Sequence, residues 1–462
     1  MRRWHRVGRS VVAAFGLVAG LLSYASAASA ETLEQALTEA YMNNPTLNAQ
    51  RAALRSIDEN VPKALSGYRP TISATGSTGI VAVDTHTKTG KSSDTRRPSS
   101  AEVTLEQNLF KGFRTLNETR SAESQVRQAR ENLRNAEQAV LLNAVTAYMN
   151  VLRDEALVEL QKQNLQALRE QLRATRDRFE VGEVTRTDVA LSEASVAAAQ
   201  SALIQAQSNL ATSKAIYRQT IGHDPGKLQP GRPIEHLLPK SINMVLETGL
   251  TQHPTILASA YAVDIATLQV KIAEGALLPV LAAQASVSRE INSSSDTKRQ
   301  DDARGIVNLT VPLYQGGAEY AAVRQAKESL GEARIQLDVI RDQVRAQIVQ
   351  FWTQLDAAKA SIEAAQTQVR ANQTALNGVT EEYMVGQRTI LDVLTARSQL
   401  VTAQSNLVTA QRDRVVASFA VLSSFGRLDA ETLELQVAVY DPQEHYYQIR
   451  DSWFGLRIPD GR

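Results

Sequence analysis

Two short stretches of the chain carry the same polar grammar: Gly182, Thr185 and Asp188 in "VGEVTRTDV", and Gly386, Thr389 and Asp392 in "VGQRTILDV". A glycine so placed takes the left-handed conformation that ends a helix. A threonine three residues later caps the next helix, and an aspartate three further on completes a carboxylate variant of the capping box. Only the second stretch adds side-chain donors, Tyr383 and Arg388, where the first has Phe179 and Val184. No other chemistry is spelled out. The six histidines form no HExxH pair, "GHDPGK" lacks the Walker spacing, and there is no G-x-S-x-G elbow. With no cysteine, disulfides and thiolate metal sites are excluded. No enzyme, metal or cofactor is expected.

The two turns belong to a longer repeat. An offset of 204 residues, held without a slip for more than a hundred positions, lays "VTLEQNLFKGF" (from Val103) over "VNLTVPLYQGG" (from Val307), and Tyr148 over Trp352. Upstream the offset becomes 209, pairing Pro45 with Pro254 and Pro70 with Pro279, which puts a loop between Pro70 and Val103. In this register His253 takes the place of Asn44 as a helix-start residue.

Long helices must position the turns. From Ala122 the small or apolar positions 126, 129, 133, 136, 140, 144, 147 and 151 alternate steps of three and four, the stripe of a coiled coil. Leu116 to Phe179 contains neither proline nor glycine, which allows one helix roughly 100 Å long. Alanine, serine and glutamine fill much of the stripe, so helices approach closely but bury little area per residue. Helices alone would fit a soluble periplasmic coiled-coil adaptor or scaffold.

The intervening segments alternate. Val103, Leu105 and Leu109 face away from Glu102, Thr104, Glu106 and Asn108; Val307, Leu309, Val311 and Leu313 face away from Asn308 and Thr310. Leu281, Ala283, Ala285, Val287 and Ile291 make a third apolar row, interrupted by Arg289. Period-2 segments of about ten residues with one apolar face are the mark of membrane β-strands. The polar stretches 84–100 and 292–304 suit loops at an aqueous outer face. One hairpin per half gives four strands, too few to close a barrel, and open edges are not tolerated in lipid. The chain is expected to pool strands in an oligomer.

Residues 1–30, with a basic start, an apolar run and "ASA" before Glu31, read as a secretory signal peptide. Its removal takes four arginines and no acidic residue, moving the net charge from +1 to about −3, which is no footprint for nucleic acid.

"NLTVPLYQGG", the paired "VG…T…DV" turns, the leader and the tandem halves together resemble the TolC family of outer-membrane efflux and secretion channels. The fold class is mainly α with transmembrane β. Domains are expected at 31–240 (β-hairpin near 70–110, long helix 113–180, return helix 186–222) and 241–430 (β-hairpin near 279–314, long helix 318–383, return helix 389–425), with a periplasmic tail at 431–462. The resemblance implies a homotrimer with twelve pooled strands in outer-membrane lipid and an α-helical tunnel in the periplasm. It implies a periplasmic membrane-fusion adaptor and an inner-membrane RND or ABC-type transporter as partners, and as function the passive exit duct of a tripartite efflux pump or type I secretion system. It also makes the turns the tunnel's closing tip: Tyr383 and Arg388 bonding to Asp188 as a latch, and Asp392 as a constriction ring, with Thr395 where a second acidic ring would stand.

Overall fold

A computed structural model describes residues 30–459; the expected leader, up to residue 29, lies outside the described residues. The chain opens with three helices, α1 (Leu33–Asn43), α2 (Pro45–Asp58) and α3 (Asn60–Leu65), and enters strands β1 (Thr71–Thr78), β2 (Val81–Thr87), β3 (Gly90–Arg96) and β4 (Ser99–Lys111). A long hairpin follows, α4 (Arg114–Glu180) and α5 (Arg186–Ile221). The plan then recurs: α6 (Ile242–Gln252), α7 (Pro254–Gly275), β5 (Val280–Ile291), β6 (Arg299–Thr310), and the hairpin α8 (Ala318–Met384) and α9 (Ile390–Ser424). A short α10 (Glu444–Ile449) lies in the tail. Both α4 and α8 have 67 residues, which is roughly 100 Å at the standard rise. Gly331 and Gly378 are absorbed within α8, because tertiary packing offsets a glycine cost of about 1 kcal/mol each.

Strands β1, β4, β5 and β6 form one antiparallel sheet in the order β1-β4-β5-β6, with outer edges on β1 and β6. Cross-strand register sorts its faces. On one face the rows are Phe110–Leu281–Leu309, Gln107–Ala283–Val307, Ile72–Leu105–Ala285–Gly305 and Ala74–Val103–Val287–Ala303, apolar but for Gln107. The other face carries Thr71–Glu106–Gln284–Ile306, Ser73–Thr104–Ser286–Arg304 and Thr75–Glu102–Ser288–Asp302. Four apolar rows at two-residue steps span roughly 20 Å, close to the roughly 25 Å apolar band of outer-membrane strands. The next row outward holds Arg289 and Asp301, whose side chains form an ion pair, so the residue that interrupts the apolar alternation sits beyond the band.

Both expected loops are shorter than the sequence indicated. Residues 81–96 form the two-stranded ribbon β2-β3, turning at 88–89, since alternating Val, Thr and Ser suit a solvated ribbon as well as a coil. β6 begins at Arg299 inside the second polar stretch, paired with Ile291; strands continue past the hydrocarbon, where their residues turn polar and lose the apolar signal. At its other end β6 stops at Thr310, not Tyr314. Pro312 has no N–H to donate to a ladder.

Where sheet meets helices, Gly112 (φ +60) and Gly275 approach so closely that a Cβ on either would strike the other's backbone carbonyl. Below, one apolar core joins both halves through Leu37, Leu47, Tyr148, Tyr217, Ile348 and Leu422. The Tyr148 hydroxyl donates to the carbonyl oxygens of Glu31 (2.8 Å) or Gln229 (2.7 Å), and burial pushes its pKa up to about 12. A second core runs toward the tips and joins Leu165, Leu168 and Leu203 to Leu376, Ile390, Val393 and Leu400.

The helix starts at the two prolines match as the repeat predicts. Asn44 Oδ1 accepts from the N–H groups of Thr46 (2.9 Å) and Leu47 (3.3 Å), and His253 Nδ1 accepts from that of Thr255 (3.2 Å). Acting as acceptor requires a neutral ring. Burial first, and Arg134 second, lower the His253 pKa from 6.5 to about 4. Between these values the unfolded chain takes a proton that the folded chain refuses. This contribution to stability is therefore complete above pH 6.5 and is lost as pH falls toward 4, by up to about 3 kcal/mol. His253→Asn, which keeps an acceptor that does not titrate, is expected to flatten the fall of the thermal midpoint between pH 6.5 and 4. An unchanged slope would assign the acid sensitivity to other groups.

Candidate functional site: the paired helical tips

The two tips are built alike. Gly182 and Gly386 both have φ +79, a conformation glycine reaches without the cost other residues meet. The Gly182 N–H donates to Phe179 O (3.0 Å) and the Glu183 N–H to Arg178 O (2.9 Å); Gly386 and Gln387 donate to Tyr383 O (3.1 Å) and Glu382 O (2.9 Å). These bonds satisfy carbonyls that a helix end leaves open. Reciprocal capping restarts the chain. Asp188 Oδ2 accepts from the Thr185 N–H and hydroxyl (2.8 Å each), while Thr185 Oγ1 accepts from the Asp188 N–H (3.3 Å). Asp392 Oδ2 likewise accepts from Thr389 N–H (3.0 Å) and hydroxyl (2.8 Å), and those two bonds hold its carboxyl below the usual range. Thr389→Ala is expected to cost about 1 kcal/mol. It should raise amide exchange across residues 385–392 and leave assembly unchanged; exchange equal to wild type would remove the capping role.

The latch residues lie near one another without meeting as a latch within the protomer. Arg388 Nε donates to Glu382 Oε2 at 2.8 Å, across its own turn. The Tyr383 ring lies under the Arg178 guanidinium of the first hairpin, 5.0 Å from the centroid, while its hydroxyl is buried with no partner among the described residues. Asp188 remains engaged with Thr185. The hydroxyl of Thr395 donates to Leu391 O. Of the apolar residues at the tip, Ile390 is buried and Leu391 exposed.

Two contacts were missed from the sequence. Arg178 Nε donates to Glu183 Oε2 (2.9 Å), bracing the first turn as Arg388–Glu382 braces the second. The repeat register puts Arg178 opposite Glu382 and Val184 opposite Arg388, so the brace is kept with the charges exchanged between its ends. Opposite charges five or six residues apart across each glycine were the available signal. The second contact, Arg178 on Tyr383, links the two hairpins at their tips, and no local pattern announces it.

A membrane-type sheet, two tandem 67-residue helices and paired capped tips define the protomer of an outer-membrane channel. The chain belongs to the outer membrane efflux protein family, whose model matches residues 36–223 and 245–427. It is 46% identical over 455 residues to outer membrane efflux protein BepC of Brucella suis biovar 1 (strain 1330), covering 98% of both chains. It is 27% identical over 390 residues to outer membrane protein TolC of Vibrio cholerae serotype O1, covering 83% of this chain and 87% of that one. The fold matches the crystal structure of the Campylobacter jejuni CmeC outer membrane channel with a TM-score of 0.75 at 16% identity, over 91% of this chain and 89% of that one. The protein resides in the outer membrane with its helices in the periplasm, and the soluble-scaffold alternative lapses.

Proposed function

We propose that the protein is the passive exit duct of a tripartite efflux pump, a homotrimer whose periplasmic tip opens when an adaptor and an inner-membrane transporter engage it. The unpaired backbone edges of β1 and β6 carry the trimer reading. Such edges are not tolerated in lipid, four strands cannot close, and three copies supply twelve. In this reading the tandem halves, 31–240 and 241–430, each contribute one pair of strands to the barrel wall and one helical hairpin to the tunnel wall. The efflux assignment leans on the close likeness to a protein named for efflux. Energy comes from the inner-membrane partner, of RND or ABC type.

The gate is assigned to Asp188, Tyr383, Arg388 and Asp392. Both bonds that Asp188 accepts from Thr185 land on Oδ2, so Oδ1 is available to a donor from a neighbouring subunit. Arg388 is exposed and bonded to Glu382 across its own turn, and in this reading it exchanges that partner for Asp188 of a neighbour. Asp392, ionised through its bonds to Thr389, would recur three times around the axis. Deletion of the gene should sensitise cells to dyes and detergents, and plasmid-borne protein should restore resistance. Full resistance in the deletion strain, with no second family member expressed, would remove the efflux reading.

A further inference from the structure

The stretch 441–459 has no counterpart in the first half and joins neither sheet nor hairpins. It is nevertheless tied down along its length. The Tyr440 N–H donates to the Tyr41 hydroxyl (3.1 Å), His445 Nδ1 lies 3.1 Å from Asp58 Oδ2, and the Tyr446 ring lies 5.2 Å from the Arg130 guanidinium. Farther on, Arg69 donates to Ser452 O (2.6 Å) and places its guanidinium 4.8 Å from the Trp453 ring. Arg69 stands two residues before β1 begins at Thr71. Trp453 is therefore held at the level where the sheet meets the helices.

Beyond that clamp the side chains are bare. Trp453, Phe454 and Leu456 are 67%, 94% and 103% exposed. Apolar side chains left bare beside a clamped tryptophan mark a surface that something else covers. Around them Arg69, Arg450 and Arg457 are cationic, against Asp451. The same level carries the Leu281–Leu309 row of the apolar sheet face, and exposed Tyr68, Phe113 and Tyr314.

We infer that residues 453–457 are an interfacial anchor: Trp453, Phe454 and Leu456 enter the headgroup region of the periplasmic leaflet of the outer membrane, and Arg457 and Arg450 meet its phospholipid phosphates. The inference rests on the outer-membrane placement of the sheet, at whose helix-side end the patch is held. Tryptophan is enriched at membrane–water boundaries, and arginine serves beside it as an interfacial anchor. The backbone here is irregular, so its unpaired N–H groups confine it to the interface. In the proposed pairing of β1 with a neighbour's β6, that neighbour's strand would run on at this height into "VPLYQGG", 311–317, which carries no acidic residue for the arginines. Anionic phospholipid satisfies both requirements.

The tryptophans Trp4, Trp352 and Trp453 are the whole complement of the chain, which permits a direct test. Trp4→Phe with Trp352→Tyr leaves Trp453 as the sole reporter, and tyrosine is already the residue at the matching repeat position, Tyr148. The assembled protein is reconstituted in phosphatidylethanolamine–phosphatidylglycerol vesicles, with or without phospholipid brominated near the glycerol end of its acyl chains. A second variant, with Trp453→Phe and Leu309→Trp added, reports from the sheet at the same depth. Trp453 emission is expected to be blue-shifted, quenched by brominated lipid as strongly as the Leu309→Trp reporter, and protected from iodide. If the sheet reporter is quenched and Trp453 is not, the anchor is wrong, whether iodide reaches Trp453 or a neighbouring subunit shields it. If neither is quenched, the outer-membrane placement fails and the anchor fails with it.

Discussion

Leu105→Arg is expected to abolish assembly of the outer-membrane trimer, whereas Thr104→Arg, one residue away, leaves it intact. Leu105 lies in the row Ile72–Leu105–Ala285–Gly305, the third of the four apolar rows counted from the helices and so inside both limits of that face, while Thr104 lies on the polar face between Ser73 and Ser286. An arginine facing lipid at mid-depth costs about 2–4 kcal/mol, falling to about 0–1 near the interfaces. Every subunit carries the change, so the penalty is paid three times in a trimer. Leu309, in the row nearest the helices, should show a smaller loss on the same substitution. Insertion at the 88–89 turn of the β2-β3 ribbon, at the outer end, should be harmless. Heat-modifiable trimer in outer-membrane fractions is the readout. Equal yields from Leu105→Arg and Thr104→Arg would mean that the apolar rows do not face lipid.

The second large effect concerns the gate. Tyr383→Phe with Arg388→Ser is expected to give a stable trimer with higher single-channel conductance in planar bilayers and cells that leak large antibiotics. Phenylalanine keeps the ring under Arg178 and removes only the hydroxyl, while serine removes the brace to Glu382 and any bond Arg388 makes to a neighbour's Asp188. A hydrogen bond to a charged group contributes about 1.5–3 kcal/mol, and about 1.4 kcal/mol is tenfold in an equilibrium. Threefold repetition turns modest bonds into a strong bias toward closure, since only the closed state makes them. The tunnel itself should survive, because phenylalanine keeps the residue 383 ring packed against the second core and the first core, around Tyr148, does not include either changed residue. Unchanged conductance in an intact trimer would assign closure to the apolar residues Val184, Ile390 and Leu391.

What could be read from the sequence was local or repeated. The Gly–Thr–Asp turns declared themselves because every partner lies within three residues, and the long helices because their apolar stripe persists for about eight turns. Strand limits were misjudged at the outer end, where β6 starts with "RQDDAR". A strand outside hydrocarbon needs no apolar face, so periodicity falls silent while backbone pairing continues. The tail was illegible for another reason: His445 meets Asp58 across 387 residues and Arg69 meets Ser452 across 383, and neither pairing leaves a local trace. The tip showed both situations. Its caps were visible, but the stacking of Arg178 on Tyr383 joins two hairpins and depends on tertiary placement.

The claim that three copies close one barrel is tested most directly by covalent closure. The chain has no cysteine, so Ile72→Cys on the β1 edge can be paired with single cysteines placed in turn from Ile306 to Thr310 on the β6 edge, in the same chain and in native outer membranes. At the register that joins neighbouring subunits, oxidation should yield a band of three chains and nothing larger, because the third bond closes the ring. Absence of a bond at every position, or a ladder extending beyond three, would contradict the closed trimeric barrel on which the duct depends.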